Sequence, residues 1–212
     1  MMKIQFKNVC PHVFEELSLK SDVWNNDFTI QDGMRYALCG PSGRGKTSLL
    51  AYLFGSRKDY KGEVYINDRA ILELTIDDWI ELRREKISSV FQDLQLIEKL
   101  SVADNIALIP KFANGYGLSK AENMLADLGM PNKWEAQVKT LSFGQKQRVA
   151  IVRALCKPFD LLICDEPFSH LDAMHKTKCV DLIESRLQEE NAGILLTSLD
   201  GENQLDLKSI HL

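Results

Sequence analysis

A chain of 212 residues, 45% of them hydrophobic, is long enough for a sizeable core without disulfide or metal staples. Its formal charge of −4 and pI near 5.6, with basic residues spread among acidic ones, give no electrostatic footprint for DNA or RNA. Five scattered cysteines, Cys10, Cys39, Cys156, Cys164 and Cys179, contain no C-x-x-C pair and read as buried, reduced thiols. No signal-peptide pattern and no apolar run of about 18 residues is present, so the chain reads as soluble or peripheral to a membrane.

Lys3 to Val9 alternates polar and apolar residues, and Asp27 to Ile30 leads into an Asp32-Gly33 turn, which together predict a small antiparallel layer. Arg35 to Cys39 then reads as a short buried strand and Thr47 to Phe54 as a buried helix ending near Gly55. The turn between them, Gly40-Pro41-Ser42-Gly43-Arg44-Gly45-Lys46-Thr47, fits G-x-x-x-x-G-K-[ST], a phosphate-cradling P-loop. Glycines admit phosphates close to the backbone, and the N–H groups at the helix start point at an anion. Lys46 adds charge at the outer phosphates, Thr47 offers a hydroxyl to Mg²⁺, and Ser48 continues the phosphate site. The loop marks a nucleotide-binding protein.

Further along, Gly62 to Ile66 reads as a strand, Asp77 to Arg84 as a short helix and Ile87 to Phe91 as a buried strand. From Ser101 to Lys157 the pattern is helical, with capping-box-like starts at Ser101 to Asp104 and Ser119 to Glu122. After Pro158, Leu161 to Cys164 is an apolar strand, Ala173 to Glu190 an amphipathic helix and Gly193 to Thr197 a strand again. Asp165 and Glu166 close the strand at its carboxyl end, where open α/β sheets place ligands. In that position Asp165 suits Mg²⁺ and Glu166 suits polarising the water that attacks a γ-phosphate.

Leu141-Ser142-Phe143-Gly144-Gln145 closely resembles the Leu-Ser-Gly-Gly-Gln signature of the ATP-binding cassette (ABC) ATPases, and further matches in family order cover nearly the whole chain. The resemblance implies an α/β fold: a P-loop NTPase (RecA-like) core with an antiparallel β subdomain and an inserted helical subdomain. It implies one nucleotide-binding domain over 1–212, with a core lobe of 1–92 and 158–212 and a helical lobe of about 93–157. Ser142, Gly144 and Gln145 would meet the γ-phosphate held by the opposite subunit; Phe143 departs from the family glycine. Gln92 would touch Mg²⁺ or the attacking water, and Asp172 would communicate across the dimer. Phe14 is the nearest candidate for stacking on adenine, with Val13 as the alternative. After the last central strand the family's switch histidine is replaced by Ser198, in Ile194 to Asp200, and Leu207 to Leu212 resembles the start of the closing strand.

The resemblance implies an ATPase with ATP and Mg²⁺, a head-to-tail homodimer or a pair with a related ABC subunit, and separate transmembrane permease subunits. It would lie in the cytoplasm, peripheral on the cytoplasmic face of the membrane, with no nucleic-acid partner. Two other readings stand beside it: a hydrolysis-impaired, ATP-gated subunit, motivated by Ser198 and Phe143, and a soluble ABC ATPase without a transport role.

Overall fold

A computed structural model describes residues 2–17, 20–31, 33–112, 117–198 and 205–212, without the side chains of 110–112 and 198. Burial alternates over Ile4 to Lys7 at the start of the first strand, β1 (Ile4–Pro11), which pairs antiparallel with β2 (Phe28–Ile30) on one side and β4 (Tyr60–Ile66) on the other. β5 (Arg69–Ala70) completes the order β2-β1-β4-β5. The β1–β4 ladder slips between Lys7 and Cys10. Gly62 sits opposite that bulge at φ 86°, and a Cβ there would lie 2.4 Å from the Asn8 carbonyl oxygen, so only glycine fits.

The second sheet is parallel. β3 (Arg35–Cys39), β6 (Ile87–Val90), β7 (Leu161–Asp165), β8 (Gly193–Ser198) and β9 (Lys208–His211) stand in the order β6-β7-β8-β3-β9. Its central strands β7 and β8 read as near-continuous apolar runs because both faces are covered. Leu161, Ile163, Leu195 and Leu38 face one core, with helix α1 (Lys46–Leu53) and the antiparallel sheet. Leu162, Cys164, Ile194 and Leu196 face the other, built from α3 (Val102–Phe112), α4 (Leu118–Asp127), α5 (Phe143–Leu155) and α6 (Ala173–Glu190). The register sets Thr197 between Asp165 of β7 and Leu38 of β3, and Ser198 beside Cys39.

Local chemistry departs from the sequence reading at several points. The helix expected at Asp77 to Arg84 is α2 (Ile76–Glu81), started by a Thr75–Asp78 capping box and continued as a wider π turn over Leu82–Lys86. Lys157 closes that turn: its ammonium donates to the carbonyls of Arg83 and Ile87, and burial pushes its pKa down to about 8. The Ser101–Asp104 box forms, with Asp104 N–H donating to Ser101 Oγ at 3.0 Å. The Ser119–Glu122 box does not, because α4 already starts at Leu118 behind Gly117, which has no side chain to cap it. Asp32 of the expected turn lies outside the described residues.

All five cysteines are free; Cys39 is half-buried rather than buried, and the other four are buried. Burial pushes the Cys156 and Cys179 thiols up to about 12 and raises Cys164 as well. Iodoacetamide at pH 8 is expected to leave these three unmodified in the native protein and to label all five after denaturation, as read by mass spectrometry. Rapid native labelling of Cys164 would contradict the packing of β7.

Candidate nucleotide site

The turn from β3 to α1 is held by aromatic packing from below. Gly45 caps α1 in the left-handed region at φ 89°, and a Cβ there would lie 2.8 Å from Phe14 Cε2 and 3.0 Å from Trp24 Cζ2. Trp24, fully buried, donates its Nε1–H to the Arg44 carbonyl at 2.9 Å. The loop therefore rests on a fixed ring, with glycine where no side chain fits. Lys46 is buried, and its ammonium donates to the carbonyls of Gly40 at 2.5 Å and Pro41 at 3.2 Å, which lays the positive charge across the loop. Pro41, Ser42 and Gly43 are exposed above it.

The carboxyl ends of the parallel strands bring the acids to this loop. Asp165 is buried; Thr47 Oγ1 donates to its Oδ2 at 3.1 Å and Thr197 Oγ1 to its Oδ1 at 2.6 Å. Glu166, just past β7, takes a left-handed φ of 48°, a conformation that costs a residue with a side chain about 1–3 kcal/mol. Its N–H donates to Thr197 Oγ1 at 2.9 Å and its carbonyl accepts from Gln147 Nε2 at 3.4 Å. The backbone thus leaves the strand at Glu166 while its N–H and carbonyl stay bonded.

A cleft of about 500 Å³ opens beside this cluster, lined in part by Thr47, Phe91, Gln92, Gln95 and Asp165. Gln92 is exposed there, two residues before the consecutive left-handed pair Leu94 (φ 58°) and Gln95 (φ 47°). Arg153 of α5 donates to both of their carbonyls at 2.6 Å, and burial lowers its pKa. Thr47, Asp165 and Gln92 offer hard oxygen donors to one space. That fits Mg²⁺, which takes one or two protein oxygens and keeps phosphate and water for the rest. Among the described residues no group of three or more His, Cys, Asp or Glu forms a metal-binding cluster.

The Ser142 to Gln145 segment opens α5 as a capping box: Gln145 N–H donates to Ser142 Oγ at 3.3 Å and Ser142 N–H to Gln145 Oε1 at 3.0 Å. These side chains serve their own helix start within one chain. A Cβ on Gly144 would lie 2.7 Å from the His170 carbonyl oxygen, so glycine lets α5 close on the turn that follows Glu166. Phe143 is 45% exposed, with its ring centroid 4.3 Å from that of His170. Asp172 caps α6 by accepting from His175 N–H at 2.9 Å, and that bond with the His175 ring lowers its pKa.

Thr47, Asp165 and, through Thr197, Glu166 meet in one cluster, with Gln92 on the same cleft; Lys46 adjoins Thr47 in the chain, its ammonium on the loop carbonyls. Ser142, Gly144 and Gln145 stand on α5, whose Gln147 reaches the cluster through the Glu166 carbonyl. Phe14 is partly buried against Trp24, while its neighbour Val13 is 64% exposed. Position 198 lies beside Cys39, next to the loop, but the Ser198 side chain and Leu199 and Asp200 lie outside what is described. Sequence reasoning missed Thr197, Gln147, Arg153 and Trp24. The available signal for Thr197 was a hydroxyl closing the apolar run from Ile194 to Leu196.

The fold and this cluster define a P-loop nucleotide-binding protein. The ABC transporter family profile matches residues 23–169, and the chain belongs to that family. The Campylobacter jejuni macrolide export ATP-binding/permease protein MacB is 32% identical over 200 residues, covering 93% of this chain. The chain spans only 30% of MacB's length. The thiamine import ATP-binding protein ThiQ of Aliivibrio fischeri is 31% identical over 181 residues, 84% of this chain and 75% of ThiQ. Among solved structures, the dimeric, post-hydrolysis form of the ATP-binding cassette MJ0796, bound to ADP and Pi, superposes with a TM-score of 0.81 at 26% identity. That superposition covers 99% of this chain and 94% of the other.

Proposed function

We propose that this chain binds and hydrolyses ATP with Mg²⁺ as the nucleotide-binding subunit of a transporter, paired head to tail with a second copy or a related subunit. The observation that carries this reading is the bonded path from Thr47 through Asp165 and Thr197 to Glu166, which joins the P-loop to two acids 118 and more residues away. Gly40 to Ser48 would hold the phosphates, with Lys46 moving from the loop carbonyls to the outer phosphates. Thr47, Asp165 and Gln92 would hold Mg²⁺, which when bound neutralises charge on the phosphate oxygens. Glu166 would accept the proton of the attacking water. Ser142, Gly144 and Gln145 would meet the nucleotide held by the other subunit, and either Phe14 or the more exposed Val13 would lie beside the adenine.

In this reading residues 1–92 and 158–212 form the core lobe of one nucleotide-binding domain and about 93–157 its helical lobe. Membrane permease partners and a place on the cytoplasmic face belong to this reading, supported by relatives named for macrolide export and thiamine import; among the described residues no helix is long and apolar enough to cross a membrane. Ile76 and Ile80, one turn apart on α2, and Ile97 in the segment after Gln92 leave apolar side chains exposed for such a partner.

Glu166→Gln is expected to lower phosphate release by about 10²- to 10⁴-fold while ATP affinity is kept, since general-base catalysis is worth that much. Undiminished hydrolysis would overturn the role of Glu166.

A second reading, an ATP-gated subunit with impaired turnover, is favoured by one observation: position 198, beside Cys39 at the start of the loop, carries serine. If this reading holds, Ser198→His raises hydrolysis toward the roughly 10²- to 10³-fold that one preorganised donor contributes. No gain over a wild-type rate already ordinary for the family would contradict it.

A further inference from the structure

Thr197 is wholly buried and its hydroxyl is used in both directions. A threonine hydroxyl carries one proton and two lone pairs. Here the proton goes to Asp165 Oδ1 at 2.6 Å, a charge-assisted bond, and a lone pair takes the Glu166 N–H at 2.9 Å. With Thr47 on Oδ2, both oxygens of Asp165 are engaged, so the carboxylate cannot rotate without breaking a bond. Glu166 is held against its left-handed backbone from two sides, at N–H by Thr197 and at the carbonyl by Gln147. Asp165 and Glu166 are adjacent in sequence yet face different tasks, and one hydroxyl from the neighbouring strand ties them together.

We infer that Thr197 is the positioning residue that fixes Asp165 and Glu166 relative to each other, so that the end of β8 sets the geometry of both acids. The inference rests on the proposed ATPase reading. It also makes β8 a mechanical element of the site: any displacement of its end, where position 198 adjoins the P-loop, moves both acids together.

The test replaces Thr197 by Val, which keeps the shape and removes the hydroxyl, and by Ser, which keeps the hydroxyl. Three quantities are read on the full chain: Mn²⁺ affinity in the presence of ADP by electron paramagnetic resonance, nucleotide affinity in EDTA, and kcat against KM for ATP. Hydrogen-bonding partners of metal-binding carboxylates typically matter about 10- to 100-fold in metal affinity or activity, so Thr197→Val should lose that factor in Mn²⁺ affinity and at least as much in kcat. Nucleotide affinity in EDTA and KM should stay within about twofold, and Thr197→Ser should restore Mn²⁺ affinity and kcat to within about threefold of wild type. Unchanged Mn²⁺ affinity and kcat in Thr197→Val would overturn the inference, as would equal losses with and without metal. If Thr197→Val does not fold, Thr197→Ala is measured in its place; failure of both to fold, with Ser folding normally, would assign the hydroxyl to the fold and overturn the positioning role. If the wild-type protein hydrolyses no ATP, the proposed activity fails, and the Mn²⁺ titration still decides the role of Thr197.

Discussion

The site depends on the buried carboxylate of Asp165, held between the hydroxyls of Thr47 and Thr197. A carboxylate out of water is costly unless its oxygens are bonded, and here each oxygen is taken by a different element. The P-loop helix supplies one hydroxyl and β8 the other. Three segments far apart in sequence are therefore locked at one point, on the edge where β3, β8 and β7 end in register.

Helix α5 extends that lock across the molecule. Its N-terminus is closed by the reciprocal bonds of Ser142 and Gln145, its middle reaches the Glu166 carbonyl and the turn at Ser169 and His170 through Gln147, and its last turn holds the Leu94 and Gln95 carbonyls through Arg153. A helix of 13 residues thus touches the signature segment, the second acid and the bend after Gln92. Two consecutive left-handed residues and a third at Glu166 are conformations that persist only where surroundings over-determine them. All three are held by side chains of α5 or β8, so strain and its restraint coincide around the proposed site.

Much of this was legible in the sequence, because the features that define the class are local. The P-loop, the acidic strand end and the Ser142 to Gln145 segment are contiguous motifs, and the central strands announce themselves as apolar runs between breakers. The bonds that join the motifs were not legible. Thr197, Gln147 and Arg153 act across 31, 19 and 59 residues, and a lone polar side chain in an apolar stretch does not say which partner it meets. Local competition also hid details: Gly117 starts α4 before Ser119 could cap it, and the π turn after Glu81 follows from Lys157 gathering carbonyls there. Phe143 departs from the family glycine, and its ring finds a place against His170 without disturbing the capping box beside it.

The central claim of the proposed function is that each nucleotide is completed by the helix start of a second copy or a related subunit. It is tested most directly by mixing two defective chains, Lys46→Ala, which spoils the P-loop, and Ser142→Arg, which spoils the signature segment. Each alone should be inactive. In a head-to-tail pair the mixed dimer keeps one intact P-loop facing one intact signature segment, so mixing is predicted to restore ATP hydrolysis. Failure of a demonstrated mixed dimer to regain activity, or full activity of Ser142→Arg by itself, would contradict the account.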